Sequence, residues 1–229
     1  MANRYFAVGH YSVQVPFVFF DLDDTLVDRG RAFPECVSRF CRLFSLGEDV
    51  AAWLLREMYV RAYRADFSRL REQFALPEPA EELWRGYCEA MAEAVMCSPE
   101  TLDGLTRLRA AGWPLAVVTN GAGDIQRAKL RRTGLLPFVD AVCISEEVGL
   151  RKPAGGIFEA AGQLLGLGAL TGGWMVGDSL QNDVHGGRAA GLRTVWIGGP
   201  PGTDEADHGA GTVAEAVELI LATDGGADV

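Results

Sequence analysis

Residues 17–30 read FVFFDLDDTLVDRG. Four apolar residues run directly into three carboxylates, Asp21, Asp23 and Asp24. A continuous apolar run of this length suits a strand buried on both faces, as in a parallel sheet. Like charges packed so closely repel one another, so the acids need a cause. Four further runs share the pattern: PLAVV before Thr119, AVCI before Ser145, WMV before Gly177 and TVWI before Gly198. Each is short, rich in β-branched or aromatic residues, and ends in polar or small ones.

Helices with readable ends lie between these runs. Ser98-Pro99-Glu100 supplies an N-cap, a proline at the first helical position and an acid in the first turn. Leu102, Leu105 and Leu108 then mark one face, and Gly112 stops the helix. Residues 123–133, 155–166 and 182–190 read as three more, the first ending at Gly134 and the last at Gly191. The segment 198–211 reads as a loop before a final helix over about 212–222. Alternating strands and helices predict a parallel sheet with helices on both faces. Residues 28–98 break the alternation: apolar residues recur there at three- and four-residue spacing, without a strand-like run. That stretch reads as an all-helical insert between the first two strands.

Composition narrows the function. Of 229 residues, 48% are hydrophobic and 23% charged, as in an ordinary globular protein. A net charge of -10 argues against a nucleic-acid partner. Lys129 and Lys152 are the only lysines, so each is conspicuous. Five cysteines, Cys36, Cys41, Cys88, Cys97 and Cys143, show no zinc-ligand spacing and read as reduced thiols of a cytoplasmic protein. No run approaches the length of a membrane span, and residues 1–15 read as a loose lead-in or an added edge strand, with no signal-peptide pattern.

Ligands in an open parallel sheet bind beyond the carboxyl ends of its strands. Residues just after the apolar runs should therefore converge: Asp21 and Asp23; Thr119, Asn120 and Gly121; Lys152; Asp178 and Asp183. So many carboxylates in one crevice require a cation, and Mg²⁺ is the usual one beside a phosphate. Thr119 and the amides of Asn120 and Gly121 are donors suited to phosphate oxygens. The set is a site for handling a phosphoryl group.

DLDDTL, Thr119-Asn120, Lys152-Pro153 and GDSLQND, in that order, resemble the four motifs of the haloacid dehalogenase-like hydrolase superfamily. The resemblance runs from Phe17 to about Gly198. It implies an α/β fold: a Rossmann-like parallel-sheet core over 1–27 and 99–229, and an inserted all-helical cap domain over 28–98. It implies a Mg²⁺-dependent phosphatase acting on a small phosphorylated molecule, as a monomer or homodimer, without nucleic acid or membrane. Asp21 would be the nucleophile that forms an aspartyl-phosphate, and Asp23 the general acid and base. Asp21, Asp178 and the main-chain carbonyl of Asp23 would ligate Mg²⁺. Asp183 would act through a metal-bound water or by orienting Lys152. Thr119, Asn120 and Gly121 would hold the phosphoryl group, and Lys152 would neutralise charge between it and Asp21.

The chain departs from many relatives in reading KPAGGIF after Lys152, which implies a looser loop, and in carrying Asp24 where glycine is frequent. A phosphomutase, a 2-haloacid dehalogenase and a non-catalytic binding protein are the competing readings. Asp23 weighs against the dehalogenase, and intact chemical residues weigh against the binder. A phosphonate hydrolase would need a cap lysine, and 28–98 has none. Within the cap, Trp53, Leu54, Leu83, Trp84 and Tyr87 read as its own core. Arg29, Arg31, Tyr59, Arg61, Tyr63 and Arg64 are the candidates to face substrate. His10, His185 and His208 carry no chemical signal.

Overall fold

The structure, a computed structural model, describes residues 16–200 and 202–224. The lead-in or edge strand expected over 1–15 lies outside them. In chain order the elements are β1 (Val18–Phe20), α1 (Arg29–Leu43), α2 (Glu48–Glu57), α3 (Arg64–Gln73), α4 (Ala80–Ala94), α5 (Pro99–Ala110), β2 (Leu115–Thr119) and α6 (Gly123–Arg132). They continue as β3 (Ala141–Ile144), α7 (Ser145–Val148), α8 (Gly155–Leu164), β4 (Trp174–Gly177), α9 (Gly186–Ala189), β5 (Arg193–Ile197), β6 (His208–Ala210) and α10 (Val213–Asp224). The six strands form one sheet in the order β3-β2-β1-β4-β5-β6, and every pairing is parallel.

The opening run forms the middle of this sheet. β1 lies between β2 and β4, with Phe20 level with Val117 on one side and Val176 on the other. Successive side chains point to opposite faces. Val18 and Phe20 enter one apolar cluster with Val117, Val176, Leu105 and Val217. Phe17 and Phe19 enter a second with Val118, Met175, Ile157 and Phe158. A strand covered on both faces has no polar alternation, which is why FVFF is apolar throughout.

The helix ends behave as local chemistry requires. Ser98 Oγ accepts from Thr101 N at 3.1 Å at the start of α5, and Gly112 follows the helix at φ +82°. Asp28 caps α1 by accepting from Arg31 N at 2.9 Å.

Helices α1 to α4 form the insertion after β1, and α5 leads from it into β2. They pack on one another through an aromatic cluster in which Phe67 meets Phe40, Trp84 and Tyr87 at 5.2–5.9 Å between ring centroids. Trp53, Leu54, Leu83, Trp84 and Tyr87 are all buried. Their apolar cluster is continuous with that on one face of the sheet.

Three local readings of the sequence are corrected. The helical pattern over 48–74 breaks at Met58–Tyr63, which is not helical. Tyr63 there is extended, and its N–H donates to Asp66 Oδ2 at 2.7 Å, so α3 starts afresh behind its own cap. The 198–211 segment contains β6, which has no apolar run and owes its form to pairing with β5. The helix expected over 182–190 is a wide π-type turn over Leu180–His185 that tightens into α9. Among the described residues no helix is long and apolar enough to cross a membrane.

Candidate active site

The strand ends do converge. Asp21 follows β1 and its N–H donates to Val176 O of β4 at 2.9 Å, which fixes the first acid against the neighbouring strand. Lys152, buried, reaches it from the loop before α8 and donates from Nζ to Asp21 Oδ1 at 2.6 Å. The same Nζ lies 2.6 Å from Asp183 Oδ1. Asp183 is buried too and accepts from Ser179 N at 3.0 Å. A Cβ on Gly177 would lie 2.3 Å from the Asp183 carboxyl carbon, so this close approach needs glycine. One lysine thus sits between two buried carboxylates, the arrangement that makes burying three charges tolerable.

Carboxylate oxygens of Asp21, Asp178 and Asp183 lie within 4.8 Å of one another. Burial and the nearby Asp183 charge raise Asp21 to about 7, against the opposing pull of Lys152. Burial, then Asp183 and Asp24, raise Asp178 to about 6. Burial alone would lower Lys152, but the two acids outweigh it and hold its ammonium above the usual range. Two strained acids beside a third form an all-oxygen donor set that a hard cation fits.

Asp23 points elsewhere. Both its oxygens accept from Lys129 Nζ, at 2.7 and 2.8 Å, and Oδ2 also accepts from Gln126 Nε2 at 3.1 Å. Burial would raise this acid, but Lys129 and Gln126 outweigh it and hold the carboxyl below its ordinary value. Gln126 Nε2 also donates to Thr119 Oγ1 at 2.7 Å, so one amide links Asp23 to Thr119. The sequence reading missed both partners. Their signal was spacing: Gln126 and Lys129 stand three apart on α6 and share a face. Lys129 was conspicuous only as one of two lysines.

Two residues expected at the phosphoryl group, Asn120 and Gly121, line the cavity and also bond within the protein. Asn120 donates from Nδ2 to Lys152 O at 3.0 Å and accepts from Lys152 N at 2.9 Å. Its side-chain amide therefore clamps the main chain of Lys152. The Gly121 N–H donates to Ser145 Oγ at 3.0 Å. Asp24 lines the cavity and accepts from Gly30 N at 2.6 Å. His185, 2.8 Å from Glu205, does not line the cavity, and His208 stacks on Trp174.

A cavity of about 650 Å³ lies over these groups. Asp21, Asp23, Thr119, Lys152 and Asp178 line its floor, and Arg29, Arg61, Tyr63 and Arg64 of the helical insertion line it from the other side. Arg31 and Tyr59 do not. Trp84 and Arg64 both bond Asp124 of α6, at 2.6 and 2.7 Å, joining insertion and sheet beside the cavity.

The family model of haloacid dehalogenase-like hydrolases matches residues 16–191. The chain belongs to this family. The match takes in β1 with its acids, the Asp21–Lys152–Asp183 set and the whole helical insertion, and it makes the chain an enzyme of the hydrolase class. Among related proteins of stated activity, a ribulose-1,5-bisphosphate 5-phosphatase of Halopiger xanaduensis is 30% identical, over 89% of this chain and 98% of that one. A phosphoserine phosphatase of Thermus thermophilus is 38% identical over 66% of this chain, a match spanning 58% of that relative's length. A solved haloacid dehalogenase-like phosphatase of Thermococcus onnurineus superposes with a TM-score of 0.66 at 29% identity, covering 90% of this chain and 97% of that one.

Proposed function

We propose that this family member is a Mg²⁺-dependent phosphatase that hydrolyses a small phosphomonoester through an aspartyl-phosphate on Asp21. The observation that carries the reading is the Asp21–Lys152–Asp183 arrangement, with Asp178 beside it and Asp23 across the cavity floor. The phosphatase relatives support it. In this reading residues 28–98 are a cap over a core formed by 1–27 and 99–229. The five cysteines form no disulfide, which supports a reducing, cytoplasmic setting.

Asp21, Asp178 and Asp183 are the side chains that would hold Mg²⁺, together with the main-chain carbonyl of Asp23. The bound ion would supply positive charge to the phosphate oxygens. The chain's own residues do the rest. An Asp21 carboxylate oxygen attacks phosphorus as the ester P–O bond breaks, and the departing alkoxide takes a proton through Asp23, which first receives it from the phosphate monoanion of the substrate. Water then attacks the aspartyl-phosphate while Asp23 takes a proton from it, which releases phosphate and restores Asp21. Lys129 holds Asp23 as the carboxylate, the form this second half requires. Lys152 offsets charge on Asp21 and on the phosphoryl oxygens, and Thr119 donates to those oxygens. Asn120 contributes by fixing Lys152.

The test is phosphate release from a panel of phosphomonoesters, with Mg²⁺ and with EDTA, beside Asp21→Asn. Mg²⁺-dependent turnover that falls by roughly a thousandfold or more in the variant is expected. Undiminished turnover in Asp21→Asn, or none on a broad panel, would overturn the proposal.

A further inference from the structure

Of the cations that line the cavity, most are already committed. Lys152 is held by Asp21 and Asp183, Lys129 by Asp23, and Arg64 by Asp124. Arg29 is buried and donates to the carbonyls of Met58 and Tyr59. The guanidinium groups of Arg61 and Arg151 have no hydrogen bond or ion pair among the described residues. Arg61 is half-buried, and Arg151 is exposed. A half-buried guanidinium without an acid is unexpected in a chain of net charge -10, where acceptors are plentiful.

The segment that carries Arg61 is pinned at both ends. At one end Arg29 holds the carbonyls of Met58 and Tyr59, and lies over Phe33 at 4.7 Å from its ring centroid. At the other end Tyr63 is capped by Asp66, and Arg64 reaches across to Asp124 on α6. Between these anchors Val60, Arg61, Ala62 and Tyr63 line the cavity. An unpaired cation on a strap fixed in this way loses little freedom on binding an anion.

We propose that Arg61, in the cavity that Arg151 also lines, binds a second anionic group of the substrate, a carboxylate or a second phosphate. The inference rests on the phosphatase reading for the first phosphate and adds the substrate class: phosphomonoesters with a second negative charge. Guanidinium suits both groups because its paired N–H donors match two oxygens.

The test uses three probes of matched length: glycerol phosphate, phosphoglycerate and propanediol bisphosphate. They carry, beyond the first phosphate, no charge, a carboxylate and a phosphate. Binding is measured by calorimetry on Asp21→Asn, with and without Arg61→Met, and turnover on the corresponding proteins with intact Asp21. Tighter binding of one or both probes with an anionic handle is expected, and Arg61→Met should weaken them by about ten- to a hundredfold. Glycerol phosphate should bind and turn over as before, and Arg61→Lys should keep part of the preference. Which probe responds distinguishes carboxylate from phosphate. Equal binding of all three probes, or equal weakening of all three by Arg61→Met, would overturn the subsite. If no probe is hydrolysed but the charge preference holds and disappears with Arg61→Met, the subsite stands and the phosphatase reading fails.

Discussion

The carboxyl edge of the sheet and the helical insertion face each other across one cavity, but they are built on opposite principles. At the sheet edge, buried charges are held close: Lys152 bonds two acids at 2.6 Å each, and Lys129 bonds both oxygens of Asp23. In the insertion the interior is aromatic, with Tyr87 reaching the cavity, while the cavity face carries an unpaired Arg61. Buried charges tolerate little change, because a lost partner leaves an uncompensated ion. An unpaired residue on a strap can be exchanged at little cost to the fold. The proposed function and substrate subsite would therefore divide between these two regions, the reaction at the sheet edge and the selectivity on the insertion.

Removing Lys152 should break the comparison most severely. Lys152→Met should lower turnover by roughly a hundred- to a thousandfold. It should also destabilise the protein by about 3–5 kcal/mol, because Asp21 and Asp183 lose their shared cation. Denaturant unfolding in EDTA reads the second effect, and unchanged stability would show that the buried charges are not a unit. In the insertion, Phe67→Ala should cost about 3–5 kcal/mol of stability through the cavity it leaves. Any folded fraction should keep the rate constant for chemistry, measured by single turnover; a large loss there would mean the aromatic core shapes the site directly.

Lys129→Met sharpens the contrast within the sheet edge. Turnover of alkyl phosphates should fall roughly ten- to a hundredfold, since Asp23 loses the cation that places it. The initial burst with an aryl phosphate, whose leaving group needs no proton, should fall much less. An equal loss for both leaving groups would assign Lys129 a structural part alone. The smallest effect belongs to the exposed bridge between the two regions. Arg64 and Asp124 are 42% and 38% exposed, so Arg64→Ala should change stability by less than about 1 kcal/mol. A larger loss would mean that this bridge fastens the insertion to the sheet.

What was legible in the sequence followed from short-range patterns. FVFF and its four counterparts placed strands, since a strand covered on both faces is apolar at each position. Ser98-Pro99 placed a helix start because a cap is decided within four residues. The parallel topology then brought Asp21, Thr119, Lys152, Asp178 and Asp183 to one edge. Met58–Tyr63 was read as helix because its side chains fit helical spacing, and the capping of Tyr63 by Asp66 overrode that spacing. β6 was missed because a three-residue edge strand has no pattern of its own.

The sequence by itself determined the strand order of chemical groups, the insertion and the acids that need a cation. Tertiary structure decided how the side chains are used. The Asn120 side chain bonds the backbone of Lys152, a contact between residues 32 apart. Lys129 became the partner of Asp23, 106 residues earlier in the chain. Spacing put Lys129 and Gln126 on one face of α6 but did not name Asp23 as their partner, because a polar side chain takes whichever buried partner the packed elements bring within about 3 Å.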